Sequence, residues 1–119
     1  MKIVVVGLGY VGLSNAVLLA QKNEVIGVDS CVDKVSTINR KESPFVDNEL
    51  SEMLKRDDLT FFATIDLKSS LARAEYVIIC TPTNYDEVTN FFDTSSVEAV
   101  IRHVIQLEPR ACVVIKSTV

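Results

Sequence analysis

Several residue types on which catalytic and disulfide-bonded sites depend are scarce in this sequence. It has no tryptophan, one histidine and three cysteines, and Cys31, Cys80 and Cys112 are too far apart to match the spacing of a metal-ligand set. No export signal is evident, so the thiols are expected to be reduced and to pack as small core hydrophobes. We therefore expect a cytoplasmic protein without a metal site.

Clusters of positive charge and long uninterrupted apolar runs are lacking as well. The 12 basic residues are scattered and outnumbered by 16 acidic ones, which gives a net charge of −4 and argues against a nucleic-acid partner. Residues 3–20 are apolar but contain three glycines, Ser14 and Asn15, so they predict a strand and a helix rather than a signal peptide or membrane span. With 48% hydrophobic residues in 119, the chain can build one domain with a two-sided core.

Glycine is rare too, yet three of the four glycines fall within six residues. Four branched aliphatic residues, 3–6, run directly into the segment GLGYVG, residues 7–12. An apolar run without alternation is typical of a strand buried on both faces of a parallel sheet. The pattern G-x-G-x-x-G between such a strand and a helix is typical of a turn that holds the pyrophosphate of a dinucleotide.

Each position of this turn has its own expected task. Gly7 lets the chain leave the strand sharply, Gly9 leaves room for a pyrophosphate against the backbone, and Gly12 lets the helix pack closely on the strand. The amides of Tyr10 and Val11 open the helix and lie at its positive end, where phosphates can bind without a lysine.

An acidic residue stands at the distance that this motif requires. Asp29 follows the segment EVIGV at 24–28, which is predicted as the second strand, and lies 22 residues beyond Gly7. A carboxylate there accepts hydrogen bonds from the adenosine ribose and repels a 2′-phosphate. Ser30 comes next and offers no cation to an extra phosphate, so the sequence favours NAD over NADP. The alternative is that Asp29 caps the following helix.

Alternating strand and helix patterns predict the rest of the fold. Apolar residues at three- and four-residue steps indicate helices between short apolar runs, and Asp47 and Asp66 stand where they would cap two short helices. We predict an α/β fold of the Rossmann type, a doubly wound parallel sheet with flanking helices and strand order 3-2-1-4-5. Residues 86–92 are expected to be mobile. The predicted strands are 3–6, 24–28, 59–64, 75–80 and 111–116.

Two further residues are candidates for contacts with a dinucleotide. Lys34 lies one helical turn beyond Asp29, and its ammonium would reach the adenosine end of the dinucleotide. The alternative is that Lys34 is an ordinary solvated lysine. Thr83 follows the fourth strand, and its hydroxyl would lie where the nicotinamide ribose passes. The alternative is that Thr83 only helps to form the turn after this strand. An intact dinucleotide fold continues to a sixth strand, so we expect the amino-terminal part of a longer protein, without a catalytic constellation of its own.

Together these residues resemble the UDP-glucose 6-dehydrogenase family, whose close relatives act on UDP-N-acetylhexosamines or GDP-mannose. The resemblance rests on MKIVVVGLGYVGL at 1–13, Asp29, Lys34-Val35, TPT at 81–83 and KSTV at 116–119. It spans essentially the whole chain. It implies that residues 1–119 form an NAD-binding Rossmann domain that is truncated before the sixth strand and lacks the central and UDP-sugar-binding domains.

The resemblance also implies an activity and the residues that serve it. The activity is oxidation of UDP-glucose to UDP-glucuronate with two NAD, in nucleotide-sugar metabolism and polysaccharide biosynthesis. The nucleotide sugar would bind through the missing domain, which also holds the nucleophilic cysteine, and the parent would be a homodimer or a larger homo-oligomer. No residue of this chain is assigned a catalytic role, except that Thr118 would order a water. The cofactor-binding set is Gly7, Gly9, Tyr10, Val11, Gly12, Asp29, Lys34, Thr83 and Thr118.

Three alternatives keep the same fold. The parent is a related UDP-N-acetylhexosamine or GDP-mannose dehydrogenase, or the chain is a nucleotide-sensing module that binds a ligand without catalysis. A third is another hydride-transferring enzyme, such as a hydroxyacid or phosphogluconate dehydrogenase. The tyrosine in the glycine turn and the TPT segment argue against that third alternative.

Overall fold

A five-stranded parallel sheet forms the centre of the computed structural model, which describes residues 1–81, 84–86, 91–93 and 95–116. The order of its strands is β3-β2-β1-β4-β7. Since β7 is the fifth strand of this sheet along the chain, the predicted order 3-2-1-4-5 is confirmed. The strands of the sheet are β1 (Lys2–Val6), β2 (Glu24–Val28), β3 (Thr60–Thr64), β4 (Tyr76–Ile79) and β7 (Cys112–Ile115).

Helices cover both faces of this sheet, as in a doubly wound fold. Three helices pack with one core cluster and two with the other. None of the helices in the described ranges is both long and apolar enough to cross a membrane. The first face carries α1 (Tyr10–Leu19), α2 (Val32–Asn39) and α3 (Asn48–Leu54), and the second carries α4 (Leu67–Ser70) and α5 (Ser95–Leu107).

The central strand β1 is buried on both faces of the sheet, and for this reason its four branched residues do not alternate with polar ones. Ile3 and Val5 belong to the core cluster on one face, and Val4 and Val6 belong to the cluster on the other. None of the four is more than 5% exposed. Burial of each such side chain stabilises the fold by about 1.5–3 kcal/mol, so β1 is anchored from both sides and its carboxyl end has a fixed position.

The helix caps were predicted correctly, whereas the strand pairing after β4 was not foreseen. Asp47 accepts a hydrogen bond from the Leu50 amide at 2.9 Å, and Asp66 accepts one from the Ser69 amide at 3.1 Å. Strands β5 (Asn84–Asp86) and β6 (Phe91–Asp93) pair antiparallel at the two ends of the segment expected to be mobile, of which residues 87–90 lie outside the described part of the chain. This pairing joins two segments that are separated in the sequence, and local sequence patterns indicate such pairings poorly.

The expectation that all three cysteines are core residues was wrong for two of them. All three are free thiols, but Cys31 and Cys112 are exposed and Cys80 is partly buried. Cys112 begins β7, which lies at an edge of the five-stranded sheet, and Cys31 lies in the turn before α2. Edge and turn positions leave a side chain open to solvent even when its residue type favours burial.

A side chain closes the other edge of the sheet. Asn39, the last residue of α2, donates from Nδ2 to the Ala63 carbonyl and accepts from the Ala63 amide, both at 2.8 Å. The Asn39 amide thus replaces a neighbouring strand for one residue of the edge strand β3, and it ties α2 to the sheet.

Replacement of Asn39 by Ala should lower the free energy of unfolding by about 1–2 kcal/mol, because both backbone groups of the buried Ala63 lose their partner. Urea unfolding measures the loss. The matched control is Asn15→Ala, which removes a surface side chain that, among the described residues, bonds to the Val11 carbonyl of its own helix. Equal stability of the two variants would contradict the edge-closing role of Asn39.

Candidate functional site

The first feature of the site is the sharp turn at Gly7. This residue has φ +95°, and a Cβ on it would lie 2.7 Å from the backbone carbon of Cys80 and 2.7 Å from the nitrogen of Thr81. The Gly7 amide donates to the Val28 carbonyl at 2.7 Å. The turn therefore joins the carboxyl ends of β1, β2 and β4, and no larger residue fits there.

The other two glycines of the turn differ sharply in their surroundings. A Cβ on Gly12 would lie 1.8 Å from the Gly7 carbonyl oxygen, so α1 packs directly on the turn. A Cβ on Gly9 would have no atom within 4 Å among the described residues. Gly12 is thus required by the packing of the protein itself, whereas the lack of a side chain at Gly9 leaves open space in front of the helix.

The helix that starts at this open space has no negative charge in its own first turn to compensate its positive end. Gly9 is the N-cap of α1 and has no side chain to accept from the first amides, and no acidic residue lies in the first turn. By contrast, α2 has Asp33 and α3 has Glu49 in the first turn. The first amides of a helix lack intrahelical acceptors, so the start of α1 is suited to an anion.

Asp29 lies beside the turn and holds it. One carboxylate oxygen accepts from the Leu8 amide at 2.8 Å, and the other accepts from the Cys31 amide at 2.9 Å. The bond to Cys31 turns the chain before α2, but the N-cap of this helix is Cys31 and it has no side-chain cap hydrogen bond, so Asp29 does not have the capping role considered as the alternative. The bond to Leu8 ties the end of β2 to the glycine turn and was not foreseen from the sequence.

Lys34 forms an ion pair with Asp29. Its ammonium nitrogen lies 3.5 Å from Asp29 Oδ2, and the side chains are 27% and 12% exposed respectively. Lys34 is therefore not an ordinary solvated lysine, since its ammonium is held at the carboxylate.

A cleft of about 590 Å³ opens at the carboxyl ends of β1 and β2. The crevice at this edge of the sheet is where doubly wound folds bind ligands, because the strand order reverses beside β1. Three of the predicted site residues, Gly7, Asp29 and Lys34, line the cleft. Its further lining is Val6, Val28, Ser30, Cys31, Ile65, Leu67, Thr81 and Val100.

Thr81 is a cleft residue that the sequence analysis did not assign to the site. Its hydroxyl oxygen is buried and has no hydrogen-bond partner within the part of the chain that the structure describes. An unsatisfied buried hydroxyl costs about 1–3 kcal/mol, so it marks a position where a ligand or water is expected. The TPT segment was the available signal, but only its second threonine was chosen.

Tyr10 and Val11 begin α1, and both side chains point to solvent, with 52% and 55% exposure. The Tyr10 hydroxyl donates to Asp47 at 2.5 Å, and its ring contacts Phe45 edge-on at 5.9 Å. The hydrogen bond from Tyr10, together with that from the Leu50 amide, lowers the pKa of Asp47, and the same bond raises the pKa of Tyr10. The side chain of Tyr10 thus ties the segment before α3 to the start of α1.

Three other expectations concern residues near the strand ends. Thr83 and Thr118 lie outside the described residues. Cys80 lies beside the glycine turn, and burial raises the pKa of its thiol, which disfavours the nucleophilic thiolate. Among the described residues, no group of three or more His, Cys, Asp or Glu is placed to hold a metal ion.

The comparison with known families agrees with this geometry. Residues 1–119 match the family described as UDP-glucose/GDP-mannose dehydrogenase family, NAD binding domain. The chain belongs to this family. The family's domain binds NAD, so NAD is the cofactor of the chain.

Individual relatives are similar over the whole chain. The UDP-glucose 6-dehydrogenases of Streptococcus pneumoniae and Campylobacter jejuni are 47% and 40% identical over 119 and 121 aligned residues. A crystal structure of a ternary complex of GDP-mannose dehydrogenase from Pseudomonas aeruginosa is 32% identical with a TM-score of 0.88, and the match covers 100% of this chain and 29% of that one. The chain spans 30% and 31% of the length of the two curated relatives, each of which covers 100% of it.

The contrast between Gly12 and Gly9 gives a test of the turn without any ligand. Gly12→Ala should lower the free energy of unfolding by about 3 kcal/mol, because its Cβ must displace backbone. Gly9→Ala should stay within about 1 kcal/mol of the wild type, since its Cβ enters open space at a helix N-cap. Thermal and urea unfolding of both variants measure the difference. Similar losses would show that the two glycines are not distinguished as the geometry requires.

Proposed function

We propose that the chain is the NAD-binding domain of a nucleotide-sugar 6-dehydrogenase that oxidises UDP-glucose to UDP-glucuronate with two NAD. The observation that carries the proposal is the open space at Gly9, directly before an uncapped helix and beside a cleft with a carboxylate. Bound NAD would supply the hydride acceptor, and the residues of this chain would hold and orient it.

The glycine turn fits the pyrophosphate. A phosphate has room against the backbone at Gly9, and the amides of Tyr10 and Val11 lie at the positive end of α1. No charged side chain is needed, because the helix end supplies both hydrogen-bond donors and partial positive charge. Gly7 and Gly12 serve the same site indirectly by keeping the turn tight.

The cleft beside the turn fits the adenosine ribose. A carboxylate offers about four acceptor directions, and those of Asp29 receive the Leu8 amide, the Cys31 amide and the Lys34 ammonium. An acceptor direction therefore remains for a ribose hydroxyl, and Lys34 can approach the same ribose from α2. The two hydrogen bonds and the ion pair fix the carboxylate in place before a ligand arrives, which lowers the cost of ordering it on binding.

Thr81 would add a contact that a bound molecule can satisfy and that none of the described residues supplies. Its hydroxyl lies in the lining of the same cleft as Asp29 and lacks a partner among the described residues. A cofactor oxygen, or a water held by the cofactor, would remove this deficit. We extend the proposal to Thr83 and Thr118 on the nicotinamide side, with Thr118 also ordering a water, on the basis of the family resemblance alone.

The choice of UDP-glucose is supported by the named activities of the relatives. Those at 47% and 40% identity are UDP-glucose 6-dehydrogenases, whereas a GDP-mannose 6-dehydrogenase of Pseudomonas aeruginosa is 33% identical. We propose further domains for the substrate and for the nucleophilic cysteine, assembly as a homodimer or larger homo-oligomer, and a cytoplasmic role in polysaccharide biosynthesis. These proposals follow the family and the share of its length that this chain spans.

Calorimetric titration with NAD should show saturable binding to the wild type and none to Gly9→Val, because the valine side chain would occupy the space of the pyrophosphate. Gly9→Ala should bind more weakly than the wild type but more tightly than Gly9→Val. Circular dichroism should show the same fold in all three proteins. Wild-type affinity retained by Gly9→Val, or no binding of millimolar NAD to the wild type, would count against the proposal.

Thr81→Val should separate binding from stability. The valine has nearly the same shape but no hydroxyl, so the ligand-free protein should be as stable as the wild type or more stable by about 1 kcal/mol. Its affinity for NAD should fall by about three- to tenfold, the loss expected for one hydrogen bond. Thr60→Val, at an exposed position at the amino end of β3, is the matched control and should leave affinity unchanged. Unaltered affinity in Thr81→Val would remove Thr81 from the site.

A further inference from the structure

Two hydrogen bonds and one ion pair converge on the carboxylate of Asp29. The Leu8 amide of the glycine turn donates at 2.8 Å, the Cys31 amide before α2 donates at 2.9 Å, and the Lys34 ammonium pairs with the carboxylate at 3.5 Å. Two backbone amides and one ammonium around a single anion are a common arrangement for a bound phosphate. In this protein an internal carboxylate occupies the place of that anion.

The charge balance of the surrounding cleft depends on Asp29. Asp29 and Lys34 are the charged side chains among the described residues that line it, and the rest of the lining is apolar or neutral. The pair is electrically balanced while Asp29 is ionised. Without the carboxylate, the cleft would keep one unpaired ammonium that is only 27% exposed, next to two amides that lack an acceptor.

This arrangement revises the argument from Ser30. From the sequence, only Ser30, the residue directly after Asp29, was considered as a place for a cation, and Lys34 was treated as a separate contact at the adenosine end. The structure places Lys34 at the carboxylate instead, since one turn of α2 brings its side chain back over the end of β2. In NADP-binding folds a cation near this ribose accommodates the 2′-phosphate, and Lys34 places a cation there.

We infer that Lys34 is a specificity-determining residue. Together with the Leu8 and Cys31 amides it forms a latent site for a 2′-phosphate, and the site is closed because the carboxylate of Asp29 occupies these three groups. Selectivity for NAD is then a property of the Asp29–Lys34 pair and not of the repulsion by Asp29 alone. The inference rests on the proposed function of the same cleft. A double substitution tests the inference, because loss of the acid should raise the affinity for a 2′-phosphate and loss of the cation should lower it.

The experiment is calorimetric titration with adenosine 2′,5′-bisphosphate, 5′-AMP, NAD and NADP. Asp29→Ser clears the carboxylate and leaves room, so it should bind the bisphosphate about tenfold more tightly than the wild type does. Asp29→Ser/Lys34→Met should lose most of this gain. The matched control, Asp29→Ser/Lys22→Met, removes the same charge at an exposed position near the amino end of β2 and should keep the gain.

Two further measurements protect the test from a folding defect at Asp29. Asp29→Asn keeps the shape of the side chain, and it should show a smaller gain for the bisphosphate that again depends on Lys34. Lys34→Met alone leaves Asp29 in place and should weaken NADP more than NAD, because the acid then repels the 2′-phosphate without compensation.

The outcomes separate this inference from the proposed function. A wild type that binds NAD, with Asp29 variants whose affinity for the bisphosphate is unchanged or is indifferent to Lys34, would overturn the inference alone. A wild type that binds neither NAD nor 5′-AMP would overturn the proposed function and this inference with it.

Discussion

The site depends on one close approach of backbone to backbone. Gly7 lies against the backbone of Cys80 and Thr81, and Gly12 lies against the Gly7 carbonyl, in both cases closer than any Cβ permits. These contacts bring the end of β1, the end of β4 and the start of α1 to a single point. Because β1 is buried on both faces of the sheet, that point cannot shift without disturbing both halves of the core. The positive end of α1 is therefore presented at the crevice by packing, before any ligand binds.

Asp29 organises the same site electrostatically, in addition to the backbone packing at Gly7 and Gly12. A carboxylate at the end of β2 holds an amide of the glycine turn, an amide before α2 and the ammonium of Lys34. The polar groups on both sides of the cleft thus share one anion, and the orientation of each depends on it. An acid at this position serves the folded protein as well as the ligand, so the same side chain is under structural and functional demands together.

The sequence predicted the parts of the fold that follow from local pattern. Buried strands, the Asp47 and Asp66 caps and the strand order follow from apolar spacing and from the rules of parallel sheets. It could not predict the β5 and β6 pairing, the exposure of Cys31 and Cys112, or the bond of Asp29 to Leu8. Each of these depends on which distant segments meet. For the same reason the pattern named Lys34 as a neighbour of the ribose but gave no sign that its ammonium pairs with Asp29.

The described part of the cleft is organised for binding rather than for proton transfer. A general base needs an acceptor directed at the substrate, yet the carboxylate of Asp29 accepts two backbone hydrogen bonds and pairs with the Lys34 ammonium, and these contacts hold it in place. Lys34 is held by the same carboxylate, and burial raises the pKa of the nearby Cys80 thiol away from the reactive thiolate. Groups that are fixed in this way make a rigid receptor with low ordering cost. A domain that binds NAD requires such a receptor for its cofactor.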